Sequence, residues 1–194
     1  MDLKERTYSA LVVSAAEKLN TALCELLAES QCRPVKTVSN VSAAKRSWNE
    51  RSFDFVVINS PLPDDPGIRF AIDIGSTKGA VVLLLVRDEL YAEVYDKVVE
   101  HGVFTLSKPL SKQMLSVAFD WMASARERLR KLEKKTLSVE DKMEEIRVVN
   151  RAKWILISEL KMDEPQAHRY IEKQAMDRCL AKKEIAEEII RTYT

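Results

Sequence analysis

Four short runs of apolar, β-favouring residues, at 10–13, 53–58, 80–86 and 103–106, alternate with amphipathic stretches at 16–29, 41–49, 89–100 and 111–132. Strands covered by helices on both sides read as continuous apolar runs, so this rhythm predicts an α/β domain built on a parallel sheet. A weaker alternating run at 34–38 supplies a fifth strand, with Ser39 or Ser42 placed to cap the helix after it. The expectation is a five-stranded, parallel, doubly wound domain.

The longest apolar run, 79–86, is too short to cross a bilayer, and the N-terminus Met-Asp-Leu-Lys-Glu-Arg is charged. A cytoplasmic address without a membrane partner is expected. Cys24, Cys32 and Cys179 are odd in number and lack C-x-x-C spacing, so neither a metal nor a redox role is assigned to them. The formal net charge is only +1, so nucleic-acid binding has to come from a local patch.

Ligands of open parallel sheets bind beyond the carboxyl ends of the strands, and here those ends carry little chemistry. Gly67, Gly75, Gly79 and Gly102 form no phosphate-cradling pattern, so no nucleotide or other cofactor is expected. The run Asp54-Phe-Val-Val-Ile-Asn59-Ser-Pro-Leu-Pro63, then Gly67, and later Leu106-Ser-Lys108-Pro109, resembles the receiver domain of two-component response regulators over residues 7–125. The resemblance implies the flavodoxin-like fold. It also implies an acidic pair after the first strand, an aspartate after the third and a hydroxyl after the fourth, because Mg²⁺ needs oxygen ligands and phosphoryl transfer a carboxylate. The matching positions hold Ser14 and Ala15, Asn59 and Leu85, with Lys108 retained. An amide forms no acyl phosphate, so a pseudo-receiver for dimerisation, protein docking or masking is expected. Lys108 is placed to donate to Asn59 or, preferably, to fix a loop carbonyl. Asp64, Asp65 and Asp88 read as solvated turn acids.

From Met122 onward, Met122, Ala125, Leu129, Leu132, Thr136, Val139, Met143, Ile146 and Asn150 recur at alternating steps of three and four. This is a heptad seam, and it predicts a connecting coiled-coil helix over 119–150 and a homodimer, with Asn150 as a register-fixing polar layer. Ser138 and Asp141 have capping-box spacing that offers a break near Thr136. Residues 126–135 hold six basic and two acidic side chains, a pattern expected to coat a solvated face or to meet phosphates.

Beyond Asn150 the pattern predicts an all-α three-helix bundle: the end of the long helix to about 161, a second helix over 164–179 begun by Asp163 and Gln166, and a third over 182–191. Ala152, Ile155, Leu156, Ala167, Tyr170, Ile171, Ala175, Leu180, Ile185, Ala186 and Ile189 are its expected core. The runs 147–156, 167–177 and 184–190 resemble the ANTAR domain over residues 138–193. That resemblance implies RNA as the partner, with two small hairpins of a leader transcript bound so that a terminator helix is excluded. Arg169, Lys173 and Met176 share one helical face, with Ala175 beside them, and Arg151, Lys153, Lys182 and Lys183 are secondary contacts. Met176 also reads as a gap-filling core residue, His168 as surface, and Trp154, where the family has a small residue, as core, interface or stacking platform. The rivals are a helix-turn-helix DNA-binding regulator, disfavoured by the weak basicity of the third helix, and a signalling adaptor. No nucleophile, base and orienting group assemble in the motifs, so an enzyme is not expected.

Overall fold

A computed structural model describes residues 7–30, 32–77 and 79–193, and the chain divides into two compact units, Met1–Glu133 and Lys134–Thr194. In the N-terminal unit the elements follow as β1 (Tyr8–Val13), α1 (Glu17–Glu29), β2 (Cys32–Val38), α2 (Val41–Glu50), β3 (Phe55–Asn59), α3 (Ile68–Gly75), β4 (Val81–Arg87), α4 (Tyr91–Val98), β5 (Phe104–Lys108) and α5 (Lys112–Leu160), the last running on into the second unit. The sheet is parallel throughout, in the order β2-β1-β3-β4-β5. Edge strand β2 exposes Arg33 and Pro34, and its register against β1 shifts between the Tyr8–Cys32 and Ala10–Val35 pairs.

Alternate side chains of each strand serve opposite cores. Val13, Ile58, Leu84 and Val86 pack with Phe70 and Ile74 of α3 and Val94 and Val98 of α4. Val12, Val57, Leu83 and Leu85 pack with Leu23 and Leu27 of α1 and Leu115, Phe119 and Met122 of α5. Met122 is therefore fully buried in its own domain, and Ala125 and Leu129 pack against the same cluster. These three do not belong to an intermolecular seam, which corrects the sequence reading of Met122 and Leu129. Periodicity reveals that a helix face is apolar, not what covers it.

Two further expectations change. The cap of α2 is Asn40, whose side chain accepts from Ala43 N–H at 2.7 Å, rather than Ser39 or Ser42. Asp64 joins it, accepting from Val41 N–H at 2.9 Å and Ser42 N–H at 3.0 Å, so this acid completes a helix N-terminus, and those bonds hold its carboxyl below the usual aspartate range. The helix α5 is continuous, with no break at Ser138 or Asp141. A cluster of ions ties it to the sheet at the start of β3. Asp54 accepts from Arg126 Nε at 2.9 Å, Arg130 Nη2 at 2.8 Å and Ser9 N–H at 2.9 Å. Arg126 also reaches Glu133, Arg130 reaches Glu127, and the Arg130 guanidinium lies 5.0 Å over the Tyr8 ring. Two of the six basic residues over 126–135 are thus structural ties. The Cys32 thiol is pushed up to about 12, first by burial and then by the Asp54 charge, which makes it an unreactive core group.

The C-terminal unit adds α6 (Glu164–Arg178) and α7 (Lys182–Tyr193) to the end of α5. The predicted capping box is present, with Gln166 N–H donating to Asp163 at 2.7 Å and Asp163 N–H to Gln166 at 3.0 Å. Its core comprises Ala152, Leu156, Ala167, Ile171, Ala175, Ile185, Ala186 and Ile189, with Ile155 partly buried beside them. Tyr170 and Leu180 lie outside it and are exposed. Tyr170 is one residue from the inward Ile171, and a step of about 100° carries it off the buried stripe. No described helix is long and apolar enough to cross a membrane.

Candidate nucleic-acid interface

At the carboxyl edge of the sheet, Ser14, Asn59 and Lys108 close on one another. Lys108 Nζ donates to Asn59 Oδ1 at 2.9 Å and to the Ser60 carbonyl at 2.6 Å, so it makes both contacts considered from sequence. Asn59 Nδ2 donates to Ser14 Oγ at 3.1 Å, and that hydroxyl also accepts from Ala16 N–H. Asn59 and Ser14 are buried, whereas Ala15 is exposed. Leu85 pairs with Asn59 across the sheet, offers its carbonyl to Ser60 N–H at 2.9 Å and buries its side chain in the apolar cluster. Burial, then the Arg87 charge, lowers the Lys108 pKa. The pocket is therefore filled by mutually satisfied groups, one of them cationic, and among the described residues no carboxylate bonds to Ser14, Asn59 or Lys108. Among the described residues no group of three or more His, Cys, Asp or Glu is arranged to hold a metal ion.

The second unit presents the cationic surface. On α6 the buried Ala167, Ile171 and Ala175 define the inward face, and Arg169, Lys173 and Met176 fall on the opposite one. Met176 is 78% exposed, which removes the core reading for this residue. Ala175, read from sequence as part of the same face, instead places its methyl in the bundle core. Neither Arg169 nor Lys173 has an ion-pair partner among the described residues, so both guanidinium and ammonium are available to an external anion.

Other candidate cations are engaged. Lys153 pairs with Glu164 at 2.7 Å, and Lys182 with Glu172 at 2.5 Å. Glu172 is held below the usual glutamate range by the Lys182 hydrogen bond and charge, with His168 at 3.3 Å adding to it. Arg178, not singled out from sequence, makes a two-pronged pair with Glu188. Arg151 and Lys183 have no such partner among the described residues, and Lys183 lines a groove with Lys134 and Lys142 of α5. These pairings join residues ten or eleven apart across helix junctions, so only the packed bundle distinguishes engaged from free cations. Trp154 is 71% exposed and takes no part in the bundle core.

The family model described as "ANTAR domain" matches residues 138–190. That match lies inside the C-terminal unit, which is thus similar to an ANTAR domain. The chain is 28% identical over 140 residues to "Transcriptional regulatory protein PdtaR" of Mycobacterium tuberculosis, in each of two strains, covering 72% of this chain and 68% of that protein. Among solved structures it is similar to the signal receiver domain of an HD domain-containing protein from Pseudomonas fluorescens Pf-5, at TM-score 0.58 and 21% identity over 68% of this chain and 97% of that one. It is also similar to chemotaxis response regulator CheY4 of Vibrio cholerae, at TM-score 0.53 and 16% identity over 60% of this chain and 99% of that one. The N-terminal unit thus has the fold of solved receiver domains, and the ANTAR match follows it in the sequence.

Proposed function

We propose that this chain is a non-catalytic, cytoplasmic transcription antitermination regulator. Its ANTAR domain binds paired hairpins of leader RNA through the outward face of α6, as a homodimer, and its receiver-like domain is not phosphorylated at Asn59. The observation that carries the reading is the pair of unengaged cations, Arg169 and Lys173, beside exposed Met176 on the face opposite the bundle core. Arginine bonds phosphate through two donors or stacks on an unpaired base, and hairpin loops are where RNA exposes base edges. Binding free energy then biases the transcript toward the hairpin form and away from the terminator. The carboxyl-edge pocket supports signalling by another route, through a protein docked on the receiver-like domain, because its amide offers no phosphoryl acceptor.

Gel-shift titration with paired-hairpin RNA, a single hairpin and duplex DNA across a salt series tests the RNA reading. Arg169→Ala and Lys173→Ala are each expected to weaken paired-hairpin binding by about tenfold, whereas Lys182→Ala, already committed to Glu172, loses less. Equal affinity for duplex DNA, or unchanged affinity in both variants, refutes it. Incubation with an acyl-phosphate donor and Mg²⁺ should leave the intact mass of the full chain unchanged. A phosphorylated species mapped to Asn59 or its neighbours would overturn that half of the proposal.

A further inference from the structure

On α5, Trp154 stands 71% exposed, on the side of the helix opposite Ala152 and Leu156, which the bundle covers. Its helical neighbours on that side are polar or cationic. Arg151 and Arg147 lie one and two turns earlier, Asn150 and Ser158 four residues to either side, and all four are exposed. Neither arginine side chain has an ion pair or a hydrogen bond among the described residues. Just past the helix end, Lys161 turns back to donate to the Ser158 carbonyl at 2.9 Å. Lys153 pairs with Glu164 at 2.7 Å, which sets the first residue of α6 one position round the helix from the indole. Between 147 and 161 the sequence holds four basic residues and one acid, Glu159, so this stretch is locally positive in a chain whose net charge is +1.

We propose that Trp154 is a stacking platform for an unpaired base of an RNA hairpin loop, with Arg147 and Arg151 holding the phosphates beside that base. The inference rests on the RNA reading above and extends the contact surface from the outward face of α6 to α5. A lone exposed tryptophan buries nothing of its own, and the groups around it decide what it receives. Here they are free guanidinium donors, an amide and a hydroxyl, the set that meets phosphate and ribose oxygens at the edge of a stacked base. Every base has a π face, so the indole adds affinity for an unpaired nucleotide without selecting its identity. Bases inside a duplex already stack on one another and offer no face, so the platform favours a hairpin with an open loop over duplex DNA. A second copy of the chain is the rival occupant, and charge opposes it. A twofold contact over this stretch sets Arg147, Arg151 and Lys161 of each copy against the same cations of the other.

The test titrates the full chain into paired-hairpin RNA that carries 2-aminopurine at successive loop positions. One position should lose its fluorescence on binding to the parent and keep it with Trp154→Ala. Trp154→Ala and Trp154→Leu are each expected to weaken binding roughly tenfold with unchanged helical circular dichroism, while Trp154→Tyr stays within about threefold of the parent. Leucine keeps apolar bulk and lacks the π face, so it separates stacking from apolar packing. Arg147→Ala and Arg151→Ala should each lower the slope of log affinity against log salt by about 0.7, the value for one phosphate contact on a single strand. Light scattering without RNA should find the parent and Trp154→Ala in the same oligomeric state across a concentration series. A Trp154→Leu chain that binds like the parent, or a Trp154→Ala chain that loses the parent's oligomeric state together with the RNA, assigns the indole to protein packing and overturns the proposal. A parent that binds hairpins through Arg169 and is indifferent to Trp154→Ala sinks the platform alone. A parent that binds no hairpin sinks the RNA reading and the platform with it.

Discussion

Asp54→Ala is expected to destabilise the N-terminal unit by about 2 kcal/mol, because it takes an acceptor from two arginines, left with Glu133 and Glu127, and from the Ser9 N–H at once. The Asp54 side chain is 15% exposed and that of Arg126 11%, so both partners are shielded from the solvent that makes surface pairs weak. Burial opposes ionisation of Asp54, but the Ser9 N–H, the Arg126 hydrogen bond and the Arg130 charge outweigh it and hold the carboxyl below the usual aspartate range. A depressed native pKa contributes stability that is complete at neutral pH, begins to fall near the unperturbed value of about 4 and is gone below the native value. Urea unfolding followed from neutral to acid pH should show that loss in the parent and a flatter profile in Asp54→Ala. A variant as stable as the parent at neutral pH would show that the cluster is a surface ornament.

Leu156→Ala carries the second large expectation, a loss of about 3 kcal/mol from the C-terminal unit. Leu156 is fully buried where α5 meets the small side chains of Ala152, Ala167 and Ala186. The alanines of the cluster have no rotamers with which to fill the space, and its isoleucines, Ile171, Ile185 and Ile189, are stiff at χ1, so much of the cavity stays open. A bundle of some fifty residues has little stability in reserve, and the variant should lose it selectively. Hydrogen exchange read by mass spectrometry should show α6 and α7 unprotected while β1, β3 and β4 stay protected. Retained protection in α6 and α7 would mean that the bundle collapses around the gap.

The sheet was legible because β3 and β4 are nearly uniform apolar runs, a pattern that few other elements share. The Asp54 cluster was not, since a lone aspartate at a strand start says nothing about arginines 72 and 76 residues later. The α5 stripe was visible as a period, yet one unbroken stripe serves a sheet at Met122 and is exposed at Met143. On α6 the cationic face was readable from spacing, but the inward position of Ala175 and the outward one of Tyr170 depend on where α5 and α7 sit. Whether a lysine is free or paired depends on neighbours brought together where one helix packs on the next, as with Lys182 of α7 and Glu172 of α6.

Edge strand β2 bears on solubility. A strand at the rim of a sheet is a template on which another chain can add, and long runs of such pairing end in fibres. Pro34 has no N–H to offer an incoming strand, Arg33 beside it brings charge, and the slipped register against β1 bends the rim out of a flat ladder. The sheet thus stops growing at its β2 rim by chemistry, which removes one of the two edges on which a second chain could add.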